Sequence, residues 1–349
     1  MKKNTKRILF GSTIAAGALT AVGASSLALT NSLVRLALDR ELPKSISSTK
    51  MSVSGGDVDR DTIDLHTDAV KKLEEGTHKL CEITARDGER LVGHLFTVEG
   101  ARRTLLAMHG WRSSWSGDFA AIADFWLDIG CNVLFAEQRG QNNSGGDFMG
   151  FGLLERYDCL EWVKYLNENG HASLPIYLCG ISMGATTVLM ASGLELPENV
   201  RGVCADCGFT SPSEIWKHVV ENNLHLRYDR LRRMIANDIC KKRLCGEEAD
   251  YSTVDALKNC SIPILFVHGT DDKFVPISMT FENCKACASP YKLLVVPGAE
   301  HGMSYILNKD GYERITNEFF SENDAIPNKI DSETIESEAT ADTKAQSNR

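Results

Sequence analysis

The sequence predicts an α/β fold: a mostly parallel central sheet flanked by helices, with a small helical insertion. Three observations carry this. Apolar runs near residues 104, 132, 176, 201, 263 and 292 alternate with helical stretches at about 118–129, 152–168, 184–194, 277–288 and 304–320, which is the pattern of a parallel sheet covered on both faces. The composition, 43% hydrophobic and 24% charged over 349 residues, suits one large domain with additions. Several of the apolar runs also end in loops rich in Gly, Ser, Asp and His, so the polar chemistry gathers at the carboxyl edge of the sheet, where such folds bind ligands.

The elements follow in order. Cys81 and Ile83 alternate with Glu82 and Thr84, and a second run spans 90–98, which together predict an antiparallel pair opening the sheet. Thr104–Met108 leads into His109-Gly110-Trp111, where glycine lets the backbone turn so that amide N–H groups face a developing oxyanion. The run near 132 ends in Glu137-Gln138-Arg139-Gly140, whose charged residues read as structural. Ile176–Cys179 then meets Gly180-Ile181-Ser182-Met183-Gly184 and a small-residue helix. That is a strand, a sharp turn and a helix, with Ser182 at the tip and glycines where a side chain would collide with strand or helix. The backbone N–H groups of Trp111 and Met183 are the candidate oxyanion donors.

A nucleophilic serine needs a base and a group to orient that base. The strand near 263 runs into His268-Gly269-Thr270-Asp271-Asp272, offering Asp271 or Asp272 just past a strand end. The last strand ends in Pro297-Gly298-Ala299-Glu300-His301-Gly302, placing His301 at the same edge. The chain order is serine, acid, histidine. His109 and His268 read as shaping their turns.

Over roughly residues 75–321 these motifs resemble the α/β-hydrolase superfamily. The likeness is strongest to bacterial serine hydrolases related to serine aminopeptidases and prolyl-oligopeptidase-like esterases, which often carry an N-terminal membrane segment. The resemblance implies the α/β-hydrolase fold and a Ser-His-Asp triad of Ser182, His301 and Asp272, because His268 through Pro276 matches the family's acid motif with Asp272 in the acid position. Gln141-Asn142-Asn143 stands where the family usually has histidine-glycine, and Ser144-Gly145-Gly146 resumes the pattern.

Residues 211–258 break the strand-helix alternation with helical sequence and read as a cap. There Trp216 and Met234 are candidates for lining a substrate pocket, or for packing the cap onto the sheet edge. Ahead of the domain, Lys2, Lys3, Lys6 and Arg7 precede an uncharged stretch, Ile8 to Leu29. Its length, near the ~20 residues of a spanning helix, favours an uncleaved anchor over residues 1–30 with the catalytic domain outside the cytoplasm. Secretion after cleavage near Ala24 or Ala28 is the alternative. Residues 31–74 read as a juxtamembrane connector with a flexible Ser/Gly portion around 52–56, and 322–349 as a disordered acidic tail.

A net charge of −9 argues against a nucleic-acid partner. The basic cluster Arg227–Arg233 with Lys241-Lys242-Arg243 reads as a solvated helix face. Eleven scattered cysteines, an odd number, suit free thiols more than a disulfide frame, and Cys204/Cys207 and Cys284/Cys287 fall short of a compact zinc site. No metal or cofactor is expected. The function expected is cleavage of carboxylic esters or related acyl bonds in a small-molecule or peptide substrate, by way of an acyl-enzyme. A serine peptidase or amidase, or a catalytically silent tethered binding protein, are the alternatives.

Overall fold

The computed structural model describes residues 28–41 and 60–325. Most of the expected anchor, the Ser/Gly portion around 52–56 and the acidic tail from 326 lie outside the described residues. Among the described residues no helix is long and apolar enough to cross a membrane.

Eight strands form one sheet in the order β1-β2-β4-β3-β5-β6-β7-β8. β1 (Lys79–Thr84) and β2 (Arg90–Phe96) are the expected antiparallel pair, and β2 also runs antiparallel to β4. β3 (Arg103–Met108), β4 (Cys131–Ala136), β5 (Ile176–Ile181), β6 (Val200–Asp206), β7 (Ile264–Gly269) and β8 (Tyr291–Val296) are mutually parallel. β3, β4 and β7 are buried along their whole length, as a sheet covered on both faces requires. Alternate residues serve opposite cores. Leu106, Leu134, Leu178 and Phe266 meet Trp162 and Leu189 on one face, whereas Leu105, Phe135, Tyr177 and Leu265 meet Phe119, Trp126 and Phe319 on the other.

The helices are α1 (28–38), then α2 (Arg60–Glu75), α3 (Trp115–Asp128), α4 (Glu155–Leu166), α5 (Met183–Ala191), α6 (Pro212–His218), α7 (Arg230–Arg243), α8 (Thr253–Leu257), α9 (Ile277–Ala286), α10 (Ser304–Leu307) and α11 (Lys309–Asn323). The single helix expected over 304–320 is two, because Asn308 leaves helical dihedrals and its side chain caps α11 by accepting from the Gly311 N–H. The domain also extends past 321. The guanidinium of Arg103, fully buried, pairs with Asp324 at 2.6 Å, and a buried cation needs such a partner.

The stretch expected to act as a connector is partly built into the domain. Val34 and Leu38 of α1 are buried in a third apolar cluster with Phe151, Phe209, Trp216 and Ala236. Beyond α1 the backbone is stitched to the loop after β4. Met149 N–H donates to Leu38 O at 2.7 Å, and Arg40 N–H to Asp147 O at 2.8 Å. α2, also within the expected connector, packs against α3, with Leu73 in the same apolar cluster as Phe119. The cap expected over 211–258 consists of α6, a π turn at Val219–Asn223 and α7, while α8 packs against α5 and α9 in the body.

Candidate active site

Ser182 stands between β5 and α5 at φ 55° and ψ −116°, a strained conformation for a side-chain-bearing residue. The flanking glycines are obligatory. A Cβ at Gly184 would lie 1.8 Å from Met108 O, and one at Gly180 would lie 2.3 Å from the Gly184 carbonyl carbon. The elbow is tied down by Ser182 N–H, which donates to Asp206 O at 2.9 Å.

From that tip a hydrogen-bond chain runs across three strand ends. Ser182 Oγ lies 2.8 Å from His301 Nε2, and His301 Nδ1 lies 2.7 Å from Asp272 Oδ2. An ionised carboxylate only accepts, so Nδ1 carries the proton and Nε2 is left to accept from the hydroxyl. Asp272 is held by four donors: the two imidazoles of His301 and His268 on Oδ2, and Phe274 and Val275 N–H on Oδ1 at 2.9 and 2.8 Å. Burial opposes its charge, yet the bonds from His268 and His301, the charge of His301 and the Val275 N–H bring its pKa down to about 2. Asp271 is exposed and takes only the Thr270 hydroxyl, at 2.7 Å. His268 Nε2 also donates to Val275 O, which leaves Nδ1 to accept from the Thr280 hydroxyl.

The loop after β3 is fixed from both sides. His109 is buried and its pKa is pushed down by that burial, so it stays neutral; Nδ1 donates to Gly110 O and Nε2 accepts from Gln138 N–H. Asp118, in the first turn of α3, accepts from Gly110 N–H at 2.6 Å and from the Ser113 hydroxyl. The N–H groups of Trp111 and Met183 have no acceptor among the described residues, leaving both available. The residue after Trp111, Arg112, sits at φ 52°, and its guanidinium donates to the carbonyls of Leu36, Asp39 and Arg40 at the end of α1. Trp111 Nε1 donates to Ala37 O at 2.8 Å. Sequence reasoning missed Asp118, Arg112 and α1; a carboxylate in a first helical turn or a lone arginine carries no motif.

Two cavities meet at Ser182, Trp111 and Phe274. The larger, about 560 Å³, runs past His301 between α2, α3 and α10 and reaches Asp206. The smaller, about 440 Å³, lies between α1 and the cap. Trp216 lines the smaller one, but Met234 does not: it is 61% exposed, and α7 turns Arg232 and Ala236 to the cavity instead. Asp206 is fully buried; burial raises its pKa to about 6, and it accepts from the Ser304 hydroxyl. All eleven cysteines are free, and nine are buried. Among the described residues one group is close enough to share an ion: Cys207, Asp272 and His301, with ligand atoms within 4.8 Å. Two of these atoms already share a proton, and burial beside Asp206 and Asp272 pushes the Cys207 thiol well up, so the set suits a hydrogen-bonded relay better than a thiolate ligand.

Comparison with known proteins agrees with this architecture. The sequence profile of the prolyl oligopeptidase family (Peptidase_S9) matches residues 118–323. An uncharacterized protein of Bacillus subtilis, YqkD, is 27% identical over 263 residues, covering 75% of this chain and 85% of that protein. A non-heme chloroperoxidase of Kitasatospora aureofaciens, CPO-A1, is 23% identical, covering 68% and 98%. Among solved structures, a Pyrococcus furiosus esterase superposes with a TM-score of 0.60 at 20% identity, covering 73% of this chain and 94% of its own. Dienelactone hydrolase from Anabaena variabilis gives 0.51 at 17%, covering 71% and 99%. These structural likenesses speak to the fold, which is that of the α/β hydrolases.

Proposed function

We propose that this chain, which belongs to the prolyl oligopeptidase family and is a hydrolase of the α/β type, cleaves carboxylic esters through a serine-bound acyl intermediate. The observation that carries the reading is the unbroken hydrogen-bond chain Ser182–His301–Asp272 at the junction of two cavities. In the first half-reaction Ser182 Oγ attacks the carbonyl carbon while His301 Nε2 takes its proton. The oxyanion that forms accepts from the N–H groups of Trp111 and Met183. Collapse expels the alkoxide, which leaves with the proton from His301. In the second half-reaction His301 deprotonates a water, which attacks the acyl carbonyl; the proton then returns to Ser182 as the acid departs. Asp272 fixes the imidazole and offsets its charge throughout.

Esters are favoured over peptides by what lines the cavities. An aminopeptidase needs a free carboxylate for the substrate ammonium group. Among the described residues the carboxylates on the larger cavity are Asp118 and Asp206, the first occupied by Gly110 N–H and Ser113, the second buried and bonded to Ser304. Among the described residues none lines the smaller cavity. The test is hydrolysis of a p-nitrophenyl ester series beside a p-nitroanilide peptide series, with Ser182→Ala as control. Ester turnover that vanishes in Ser182→Ala, in a variant that melts as the parent does, is the expected result. Anilide cleavage outrunning every ester would replace the reading with a peptidase, and no Ser182-dependent turnover of either would leave a binding protein.

A further inference from the structure

We propose that the cavity between α1 and the cap is a binding site for an aliphatic acyl chain, and that α1, a segment outside the catalytic core, is one of its walls and sets its length. This rests on the ester reading above. The wall is a helical stripe: Thr30, Leu33, Val34 and Ala37 follow one another at i, i+3, i+4 and i+7 and all line the cavity. Facing them are Phe151, Phe209, Ile215, Trp216 and Val220. Apolar surface dominates, and among the described residues the only formal charge on the lining is Arg232. A methylene fills about the volume of a water, ~30 Å³, so 440 Å³ packed to roughly two-thirds holds a chain of about ten carbons. Ser182 is itself on the lining, which puts the scissile carbonyl at the junction and the hydrocarbon beneath α1.

The placement of α1 is dictated by the same loop that serves the oxyanion. Arg112 donates to three carbonyls at its carboxyl end and Trp111 Nε1 to a fourth. Asp39, just beyond, is ion-paired with Arg243 of α7. The wall, the oxyanion loop and the cap are thus joined in one set of bonds. A chain lying against Leu33 and Val34 touches the helix that Trp111 and Arg112 hold.

The test uses the full chain and p-nitrophenyl esters from acetate to tetradecanoate, comparing Leu33→Trp with Leu33→Ala. The wild type is expected to peak near decanoate. Leu33→Trp, which fills the cavity, should lower the decanoate-to-acetate ratio of kcat/KM at least ten-fold and move the peak two or more carbons shorter. Leu33→Ala should move it longer; opposite shifts cannot come from misfolding. Cleavage of acetate with a profile identical in all three proteins would overturn the site and leave the hydrolase standing. Should no ester be cleaved, a decanoic acid carrying a terminal diazirine provides a readout free of turnover. Label on peptides from 28–41 or from the cap, displaced by decanoate, supports the site, and label elsewhere or undisplaced label overturns it.

Discussion

Replacing Asp272 with Asn tests the relay at its most constrained point. The carboxylate accepts from four donors, two imidazole nitrogens on Oδ2 and two backbone N–H groups on Oδ1, at 2.7 to 3.2 Å. An amide has one oxygen. If that oxygen faces Phe274 and Val275, the NH₂ group faces His301, which must then accept at Nδ1 and carry its proton on Nε2. In that tautomer it cannot take the Ser182 proton. Loss of the correct tautomer in a serine triad costs about 10⁴-fold in kcat, or roughly 5.5 kcal/mol of barrier. The assay is kcat for a p-nitrophenyl ester at pH 8, with Asp271→Asn alongside. Asp271 is exposed and its carboxylate accepts from its neighbour Thr270, so its variant should stay within about two-fold, as surface substitutions do. Equal losses in the two variants, or wild-type rates in Asp272→Asn, would refute the reasoning.

Stability follows pH through two carboxyls with opposite signs. Asp272 has a folded pKa of about 2, below its ordinary 3.8, so its contribution is complete above pH 4 and is lost as pH falls through 2. At about 1.4 kcal/mol per unit, wild type should lose about 2 kcal/mol relative to Asp272→Asn between pH 4 and pH 2 in urea unfolding. Asp206 is raised to about 6 by burial, so it costs stability increasingly as pH rises from 3.8 to 6. Asp206→Asn should therefore gain about 3 kcal/mol at pH 8 over its effect below pH 4; a pH-independent difference would show that the carboxyl does not titrate there. Gly184→Ala should yield no soluble folded protein, because the new methyl falls 1.8 Å from Met108 O; a normal melting curve would contradict the close approach. The anchor proposed for residues 1–30 predicts that the full chain stays in the membrane pellet after a carbonate wash, and a soluble form shortened near residue 30 would refute it.

The elbow and the chain order of Ser182, Asp272 and His301 were legible because their signals are local. Glycines bracketing a serine, a strand running into His268-Gly269, and a histidine after the last strand each announce their geometry within a few positions. The parallel strands were legible as continuous apolar runs, which β3 and β4, buried along their whole length, bear out. What stayed hidden depends on contacts far apart in sequence. α1 carries an apolar stripe too short to declare a partner, and its neighbours, Trp111, Phe148 and Arg243, come from three distant segments. In α7 Met234 was the wrong residue to expect on the cavity, because the buried residues of that helix are Ala236 and Cys240, small enough to let the helix sit close. The length of the last domain helix was misjudged where a single asparagine cap overrides a continuous helical pattern.

The docking of α1 sets an order of events during synthesis. Asp39 and Arg243 are 204 residues apart, so at about 5–20 residues per second the ribosome needs roughly 10–40 s to deliver the partner after α1 has emerged. Contacts of such high sequence separation form late. α1 thus leaves the ribosome early and finds its place late, and the site stays open on one side until the chain behind it has folded.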